Sequence, residues 1–141
     1  MSERVGVVGG GIMGAGIAEV AARSGCQVLV REVDEAACAA SERRIAASVE
    51  RAVASGKLGA DESAQIHSRL AFTTDLADFA DRELVVEAVV EDETAKLAIF
   101  RELGAIVPQD AIVASNTSSI PIMKLAAASS CPERVLGIHF F

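Results

Sequence analysis

With 141 residues, the chain has the size of one ordinary domain and can bury a core without disulfides or metals. Hydrophobic residues make up 51% of it and aromatic residues only 4%, which suits helices packed on a sheet better than an aromatic-rich β-sandwich. The net charge of −7 argues against a nucleic-acid partner, because an acidic surface repels a phosphate backbone.

The three cysteines, Cys26, Cys38 and Cys131, show neither a CxxC pattern nor a metal-ligand spacing. The first residues lead straight into a short apolar strand, as in a chain without a signal peptide. No apolar run approaches the roughly 18 residues that a membrane span needs. We therefore expect a reduced, cytoplasmic protein with no metal site and no membrane partner.

Apolar runs and glycine breaks predict strands and helices that alternate along the chain. The predicted strands cover 5–8, 27–31, 70–73, 84–89, 111–115 and 135–140, and the predicted helices cover 13–24, 34–55, 61–68, 93–106 and 122–128. This alternation is typical of βαβ units. We predict one Rossmann-type, doubly wound α/β domain over 1–141, with a mostly parallel sheet and helices on both faces.

A glycine-rich turn between the first strand and the first helix matches the G-x-G-x-x-G pattern. In such a turn Gly9 permits the tight bend, Gly11 lets a pyrophosphate approach the backbone, and Gly14 lets the helix pack closely. The helix N-terminus then offers free amides to the phosphates. The candidate cofactor-binding residues of this turn are Gly9, Gly10, Gly11, Ile12, Met13 and Gly14. The alternative is a glycine-rich turn that binds nothing.

A carboxylate is expected about 20 residues after this turn, at the end of the second strand. Glu32 stands there and can accept hydrogen bonds from the adenine ribose, while it would repel the 2′-phosphate of NADP. The cofactor predicted is therefore NAD. Arg31 beside it points the other way, since arginine suits a phosphate, and Glu32 could also be a solvated acid at a helix entry.

Polar residues also follow the later strands, and ligands of such sheets bind beyond the carboxyl ends of the strands. They are Glu87, Glu91 and Lys96 after the fourth strand, the segment 115–119 after the fifth, and His139 at the end of the sixth. Oxidation of an alcohol needs a base, and histidine is the usual choice. Two alternatives stay open: His139 as a core histidine and Ser118 as a helix N-cap.

Together these segments resemble the N-terminal domain of the 3-hydroxyacyl-CoA dehydrogenases, and among them the bacterial 3-hydroxybutyryl-CoA dehydrogenases. The stretches that carry the resemblance are VVGGGIMGAGIA at 7–18, VEAVVED at 86–92, ASNTSSIP at 114–121 and GIHFF at 137–141. The last two are far more specific than the glycine turn, and the resemblance covers the whole chain.

The resemblance implies a role for each matching position. It implies that NAD is held by the glycine turn, by Glu32 (where many members have Asp), and by Glu91, Lys96 and Ser118. It implies that Ser118 binds the substrate and acts in catalysis, and that His139 is the general base. It further implies that Ser48 and Lys57 contact CoA, the latter after a small shift of the alignment.

The chain ends at Phe141 in or just after an apolar strand, and we expect it to be truncated. Members of the family continue into Asn-Pro, a Glu that orients the catalytic His, and a helical domain that completes the acyl pocket and forms a homodimer. Since loss of an orienting partner is severe, we expect the chain to bind NAD weakly and to turn over substrate poorly or not at all.

The implied activity is oxidation of an (S)-3-hydroxyacyl-CoA, such as 3-hydroxybutyryl-CoA, to the 3-ketoacyl-CoA in fatty-acid or butanoate metabolism. One alternative is an NAD-binding module without catalysis, as in a crystallin that resembles this family. Another is a different 3-hydroxy acid dehydrogenase on the same fold, which would use a catalytic lysine on a later helix. The SNTS and HFF stretches argue against the latter.

Overall fold

The computed structural model of the protein describes residues 3–140. Within them, six strands form one sheet in the order β3-β2-β1-β4-β5-β6, and every neighbouring pair is parallel. The strands are β1 (Arg4–Val8), β2 (Gln27–Arg31), β3 (Leu70–Thr73), β4 (Leu84–Glu87), β5 (Ile112–Ser115) and β6 (Val135–Gly137). The predicted fold class is confirmed.

In the described part of the chain, five α-helices cover the sheet on both faces, because strand side chains alternate between the two faces. The helices are α1 (Ile12–Arg23), α2 (Glu35–Ala54), α3 (Ala60–Ser68), α4 (Glu93–Ile106) and α5 (Ile122–Ala128). Val7 of β1 packs with α1, α2 and α3 in one core, whereas its neighbour Val8 packs with α4 and α5 in the other. Two short 3₁₀ helices, Leu76–Phe79 and Pro132–Arg134, are additions to the predicted elements.

The helix bounds agree with the sequence patterns because capping residues fix them. Asp34 accepts a hydrogen bond from Ala37 N at 2.8 Å and so starts α2, and Asp92 starts α4 in the same way through Ala95 N at 3.0 Å. The helix over 93–106 lies where the sequence predicts it.

Two strands end earlier than predicted. β4 ends at Glu87 and β6 at Gly137, although the apolar runs continue to 89 and 140. Ala88 N and Ile138 N still donate to backbone carbonyls, but further on the acceptors are side chains: Val89 N donates to Glu87 Oε2, and Phe140 N donates to Asn116 Oδ1. The prediction was wrong there because hydrophobicity does not show where a ladder of backbone hydrogen bonds ends.

The sheet reverses its direction of growth beside β1. The chain adds β2 and β3 on one side of β1 and then crosses to add β4, β5 and β6 on the other. In sheets of this kind a crevice opens outside the carboxyl ends of the strands at the reversal, here between β1 and β4. Among the described residues no helix is both long and apolar enough to span a membrane. The termini on which the expectations of a missing signal peptide and a truncated end depend, Met1, Ser2 and Phe141, lie outside the described residues.

Candidate active site

The turn after β1 brings the start of α1 directly against the backbone of the loop. Gly9 has φ +97°, a conformation that favours glycine. A Cβ on Gly14 would lie 1.7 Å from the carbonyl oxygen of Gly9, so that position cannot carry a side chain. These two glycines fix the path of the loop and the close packing of the helix.

The remaining glycine of the motif, Gly11, faces open space. Within residues 3–140, and apart from the chain directly around Gly11, no atom lies within 4 Å of the place that a Gly11 Cβ would take. Gly11 is the N-cap of α1, no described side chain caps this helix, and its first turn holds no acidic residue. The free amides and the positive end of the helix dipole therefore suit a diphosphate, and the residues present fit the dinucleotide that the sequence predicts.

Glu32, directly after β2, contacts the backbone of the glycine loop. Its carboxylate accepts hydrogen bonds from Gly10 N and, at 3.2 Å, from Val33 N. The helix-entry acid is Asp34 instead, which caps α2, so the reading of Glu32 as a solvated entry acid is wrong. Arg31 donates from Nε to the carbonyl of Thr74 at 3.2 Å, which engages its guanidinium at the end of β3.

An open cleft of about 560 Å³ lies between this loop and the end of β4. It is lined by Gly9, Gly11, Ile12, Met13, Glu32, Val33, Ala88, Val89, Val90, Glu91, Lys96 and Asn116. Predicted cofactor residues of the first half of the chain therefore line this cleft together with Glu91 and Lys96 of the second half, whereas Ser118 is not among its lining residues.

Opposite the glycine loop, two carboxylates share one ammonium. Lys96 Nζ lies 3.1 Å from Glu87 Oε2 and 2.9 Å from Glu91 Oε1. The Glu87 and Lys96 side chains are buried, whereas 39% of the Glu91 side chain is exposed. Of the two residues predicted to contact the cofactor here, Glu91 is thus the accessible one, and Lys96 lies almost wholly covered behind it.

Glu91 is held in its charged form. The hydrogen bond from Lys96, with further ones from Thr117 and Ser118, lowers the pKa of its carboxyl from 4.5 to about 2, against the opposing effect of burial. Its Oε1 accepts from Thr117 Oγ1 at 2.8 Å and its Oε2 from Ser118 N at 3.2 Å. This carboxylate therefore ties the end of β4 to the loop after β5.

Ser118 is exposed on that loop, and its hydroxyl lies 3.4 Å from Glu91 Oε2. The helix that follows, α5, has Pro121 as its N-cap, so the reading of Ser118 as a helix cap is wrong. Thr117 organises the loop instead: its Oγ1 accepts from Ser119 N at 3.3 Å and from Ile120 N at 3.0 Å. The Ser118 hydroxyl is therefore presented at the same sheet edge as the cleft.

His139 is an exposed residue beyond the end of β6, so the alternative of a core histidine is wrong. Its neighbours anchor it to β5: Ile138 N donates to Ser115 O, and Phe140 N donates to Asn116 Oδ1, each at 3.0 Å. The segment that carries His139 thus runs beside the start of the Ser118 loop.

Ser48 and Lys57 lie together in a separate hollow of about 420 Å³, also lined by Arg23, Arg51, Ala52 and Ser55. It shares no lining residue with the cleft. Arg23 is paired with Glu19 at 2.5 Å. Besides this ion pair, the hollow of this acidic chain holds two further cationic side chains, Arg51 and Lys57, that suit an anion.

Two contacts of the site were not predicted from the sequence. Ser115 Oγ donates to Glu87 Oε1 at 2.5 Å inside the protein; the signal was a glutamate in the middle of the apolar stretch VVEAVV. Arg44 Nη1 donates to the carbonyl of Gly10 at 2.9 Å. Nothing in the spacing along the chain links α2 to the glycine loop.

Three features define a dinucleotide-binding domain of the Rossmann type. They are a parallel sheet whose strand order reverses beside β1, a glycine loop with free helix amides, and a carboxylate at the end of β2. The chain matches the model of the 3-hydroxyacyl-CoA dehydrogenase NAD-binding domain over residues 4–141, and it belongs to this family. NAD is therefore its cofactor.

Relatives and solved structures that are similar to this chain are consistent with this family. The chain is 58% identical over 140 residues to 3-hydroxybutyryl-CoA dehydrogenase of Mycobacterium tuberculosis (strain CDC 1551 / Oshkosh), covering 99% of this chain and 49% of the relative. The crystal structure of M. tuberculosis FadB2 superimposes with a TM-score of 0.97 at 57% identity, covering 99% of this chain and 50% of that one. (S)-3-hydroxybutyryl-CoA dehydrogenase PaaH1 from Ralstonia eutropha gives a TM-score of 0.96 at 36% identity, covering 100% and 50%. The chain spans about half the length of these relatives.

Proposed function

We propose that this domain is the NAD-binding part of an enzyme that oxidises an (S)-3-hydroxyacyl-CoA, such as 3-hydroxybutyryl-CoA, to the 3-ketoacyl-CoA in fatty-acid or butanoate metabolism. The observation that carries the proposal is the meeting of the glycine loop, Glu91, Ser118 and the His139 segment at one edge of the sheet.

When bound, NAD supplies the hydride acceptor. The amides at the start of α1 would hold its pyrophosphate, with Gly11 leaving room for the close approach. Glu32 would accept hydrogen bonds from the adenine ribose, and its charge would disfavour a 2′-phosphate. Glu91, the accessible partner of Lys96, would contact the half of the cofactor nearer β4.

His139 would take the proton of the substrate hydroxyl as the carbon–oxygen double bond forms. Ser118 would hold the substrate oxygen with its hydroxyl, whose 3.4 Å contact to Glu91 is long enough to be exchanged for the substrate. The two side chains come from loops that follow neighbouring strands, β5 and β6, so the sheet itself sets their spacing.

The hollow with Ser48 and Lys57 supports a CoA thioester over a small hydroxy acid. CoA carries phosphates, and Arg51 and Lys57 supply positive charge there on a chain of net charge −7. For the full-length gene product we also propose a cytoplasmic homodimer. A monomer mass in light scattering would contradict the dimer.

The test is oxidation of NADH by acetoacetyl-CoA with the full-length product of the gene, beside the 141-residue chain. We expect turnover by the full-length protein, its loss in His139→Asn, and poor turnover by the short chain. NADH binding without any turnover of the full-length protein would establish the non-catalytic module instead. Turnover with free acetoacetate but not with its CoA thioester would establish a different 3-hydroxy acid dehydrogenase.

A further inference from the structure

The most deeply buried charged group at the site is one that the proposed reaction does not use. The Glu87 side chain has no exposed surface, yet it stands at the carboxyl end of β4, level with Ser115 of β5. Burial of a carboxylate is costly unless hydrogen bonds and an opposite charge compensate it. Here both carboxylate oxygens have such partners, and these partners lie at the edge of the sheet where the cofactor cleft opens.

One route from Glu87 to the Ser118 loop passes through Ser115. Ser115 Oγ donates to Glu87 Oε1 at 2.5 Å and accepts from Thr117 N at 3.2 Å. A hydroxyl has a single proton, so its donation to Glu87 leaves its lone pairs free to accept from Thr117. The carboxylate thereby fixes the direction of the Ser115 hydroxyl and, with it, the first turn of the loop.

The second route passes through Lys96. Glu87 Oε2 accepts from Val89 N at 2.8 Å and lies 3.1 Å from Lys96 Nζ. The same ammonium lies 2.9 Å from Glu91 Oε1, and Glu91 Oε2 accepts from Ser118 N at 3.2 Å. Because the Lys96 side chain is only 2% exposed, its position depends on these two carboxylates and not on water.

We propose that Glu87 is a positioning residue that fixes the Thr117–Ser118 segment through Ser115 on one side and through Lys96 and Glu91 on the other. A glutamine cannot replace it. Its amide group has one acceptor oxygen and one donor nitrogen, so if the oxygen faces Lys96 and Val89, the NH₂ faces Ser115. The Ser115 oxygen must then accept from this NH₂ as well as from Thr117 N, and the Ser115 proton loses the carboxylate oxygen that fixed its direction.

Amide hydrogen exchange followed by NMR tests the proposal on the 141-residue chain without cofactor. The amides of Thr117 and Ser118 report the two routes separately. In Glu87→Gln we expect both to exchange at least about ten-fold faster relative to the amides of β1 and β2, since each loses support for the hydrogen bond that slows its exchange. Ser115→Ala should accelerate exchange of the Thr117 amide, while the exchange rate of the Ser118 amide stays close to that of wild type.

The matched control is Val49→Ala, which removes buried apolar volume from α2 in the core on the other face of the sheet. It should accelerate exchange of the slow core amides without a selective acceleration of the Thr117 and Ser118 amides. Equal acceleration of loop and core in Glu87→Gln, or no change in the loop, would overturn the proposal. If Glu87→Gln does not fold, Glu87→Gln/Lys96→Met removes both charges of the pair. The Thr117 amide, compared with that of Lys96→Met alone, then decides, because loss of Lys96 by itself also affects Glu91 and the Ser118 amide.

The catalytic consequence depends on the proposed function. In the full-length gene product we expect Glu87→Gln to lower kcat by about ten-fold, with KM for acetoacetyl-CoA within about two-fold of wild type, because the loop is displaced but the thioester site is not. If the Thr117 and Ser118 amides exchange faster in Glu87→Gln but kcat does not fall, the proposed role of Ser118 in the reaction is contradicted. The positioning of the loop by Glu87 is then still supported.

Discussion

The Glu32 carboxylate at the end of β2 accepts a hydrogen bond from the backbone N–H of Gly10 in the glycine loop. The chain thus joins its two candidate cofactor elements, the pyrophosphate loop and the ribose acid, by a direct contact across parallel neighbours β1 and β2. Glu32 therefore holds the glycine loop at the position where we propose that it also binds the ribose.

Replacement of Glu32 by alanine should therefore weaken NADH binding and relax the discrimination against NADPH. We expect the ratio of the two Kd values to change by at least about ten-fold, the equivalent of ~1.4 kcal/mol. Fluorescence titration with each nucleotide measures it. Glu35→Ala removes the same charge from an exposed position outside the cleft and should leave the ratio unchanged. Equal ratios in wild type and Glu32→Ala would contradict the ribose contact.

A side chain at Gly11 should block the cofactor without unfolding the protein. Its Cβ would enter open space, and its φ of −69° suits any residue. We expect Gly11→Val to weaken NADH binding at least about ten-fold, or ~1.4 kcal/mol, while the Tm changes little. Gly16→Val, whose Cβ also meets open space, is the matched control on the same helix. If both variants bind like wild type, the loop is not the pyrophosphate site.

The depressed pKa of Glu91 predicts a stability contribution that is lost in acid. Because the folded pKa of about 2 lies below the ordinary 4.5, the contribution is present above pH 4.5 and disappears as the pH falls from 4.5 towards 2. The side chain is 39% exposed, so the gain in Tm over Glu91→Gln should not exceed about 4 °C at neutral pH, as for an exposed ion pair worth up to ~1 kcal/mol. Thermal unfolding of both proteins as a function of pH measures the difference. A constant difference across this window would count against the assignment.

Ser118→Ala should impair the reaction and spare the fold. The loop is held by the backbone of Ser118 and by Thr117, both of which the variant keeps. In the full-length gene product we expect kcat/KM for acetoacetyl-CoA to fall about 100-fold, as for loss of one donor at a reacting oxygen. Ser119→Ala, the adjacent exposed serine, should stay within about two-fold of wild type. Comparable losses in both variants would show that the loop, and not the Ser118 hydroxyl, matters.

Charge reversal in the basic hollow should act on the CoA group alone. We expect Lys57→Glu in the full-length gene product to raise KM for acetoacetyl-CoA by about ten-fold, equivalent to ~1.4 kcal/mol. KM for a truncated acetoacetyl thioester that lacks phosphates should not change. Arg43→Glu, on an exposed part of α2 outside the hollow, controls for net charge. An equal effect on both thioesters would argue against a phosphate contact.

Several features of the site could be predicted from short stretches of sequence. The glycine turn, the carboxylate after β2 and the helix over 93–106 each depend on a few consecutive residues and their caps. The ends of β4 and β6 could not be predicted in this way. These ends depend on hydrogen-bond acceptors in the side chains of Glu87 and Asn116, and the apolar pattern does not indicate which backbone amides those acceptors bind.

The Glu87–Lys96 pair shows the same limit at the site. A lysine on a predicted helix is expected to be exposed and to contact the ligand. The fold instead buries Lys96 between the carboxylates of Glu87 and Glu91, and Ser115 of a neighbouring strand donates to Glu87. Nothing in the spacing of these residues along the chain requires them to meet.

The amino-acid sequence by itself determined the alternation of strands and helices, the class of fold and the place of the glycine loop, because each follows from backbone conformations and side-chain periodicity within short windows. The tertiary structure alone decided the strand order, the depth of Lys96 and the network that joins Glu87 to the Ser118 loop. Those contacts join segments that lie far apart in the chain, and they form only where packing the whole chain on both faces of the sheet lowers its free energy enough to offset the cost of burying charge.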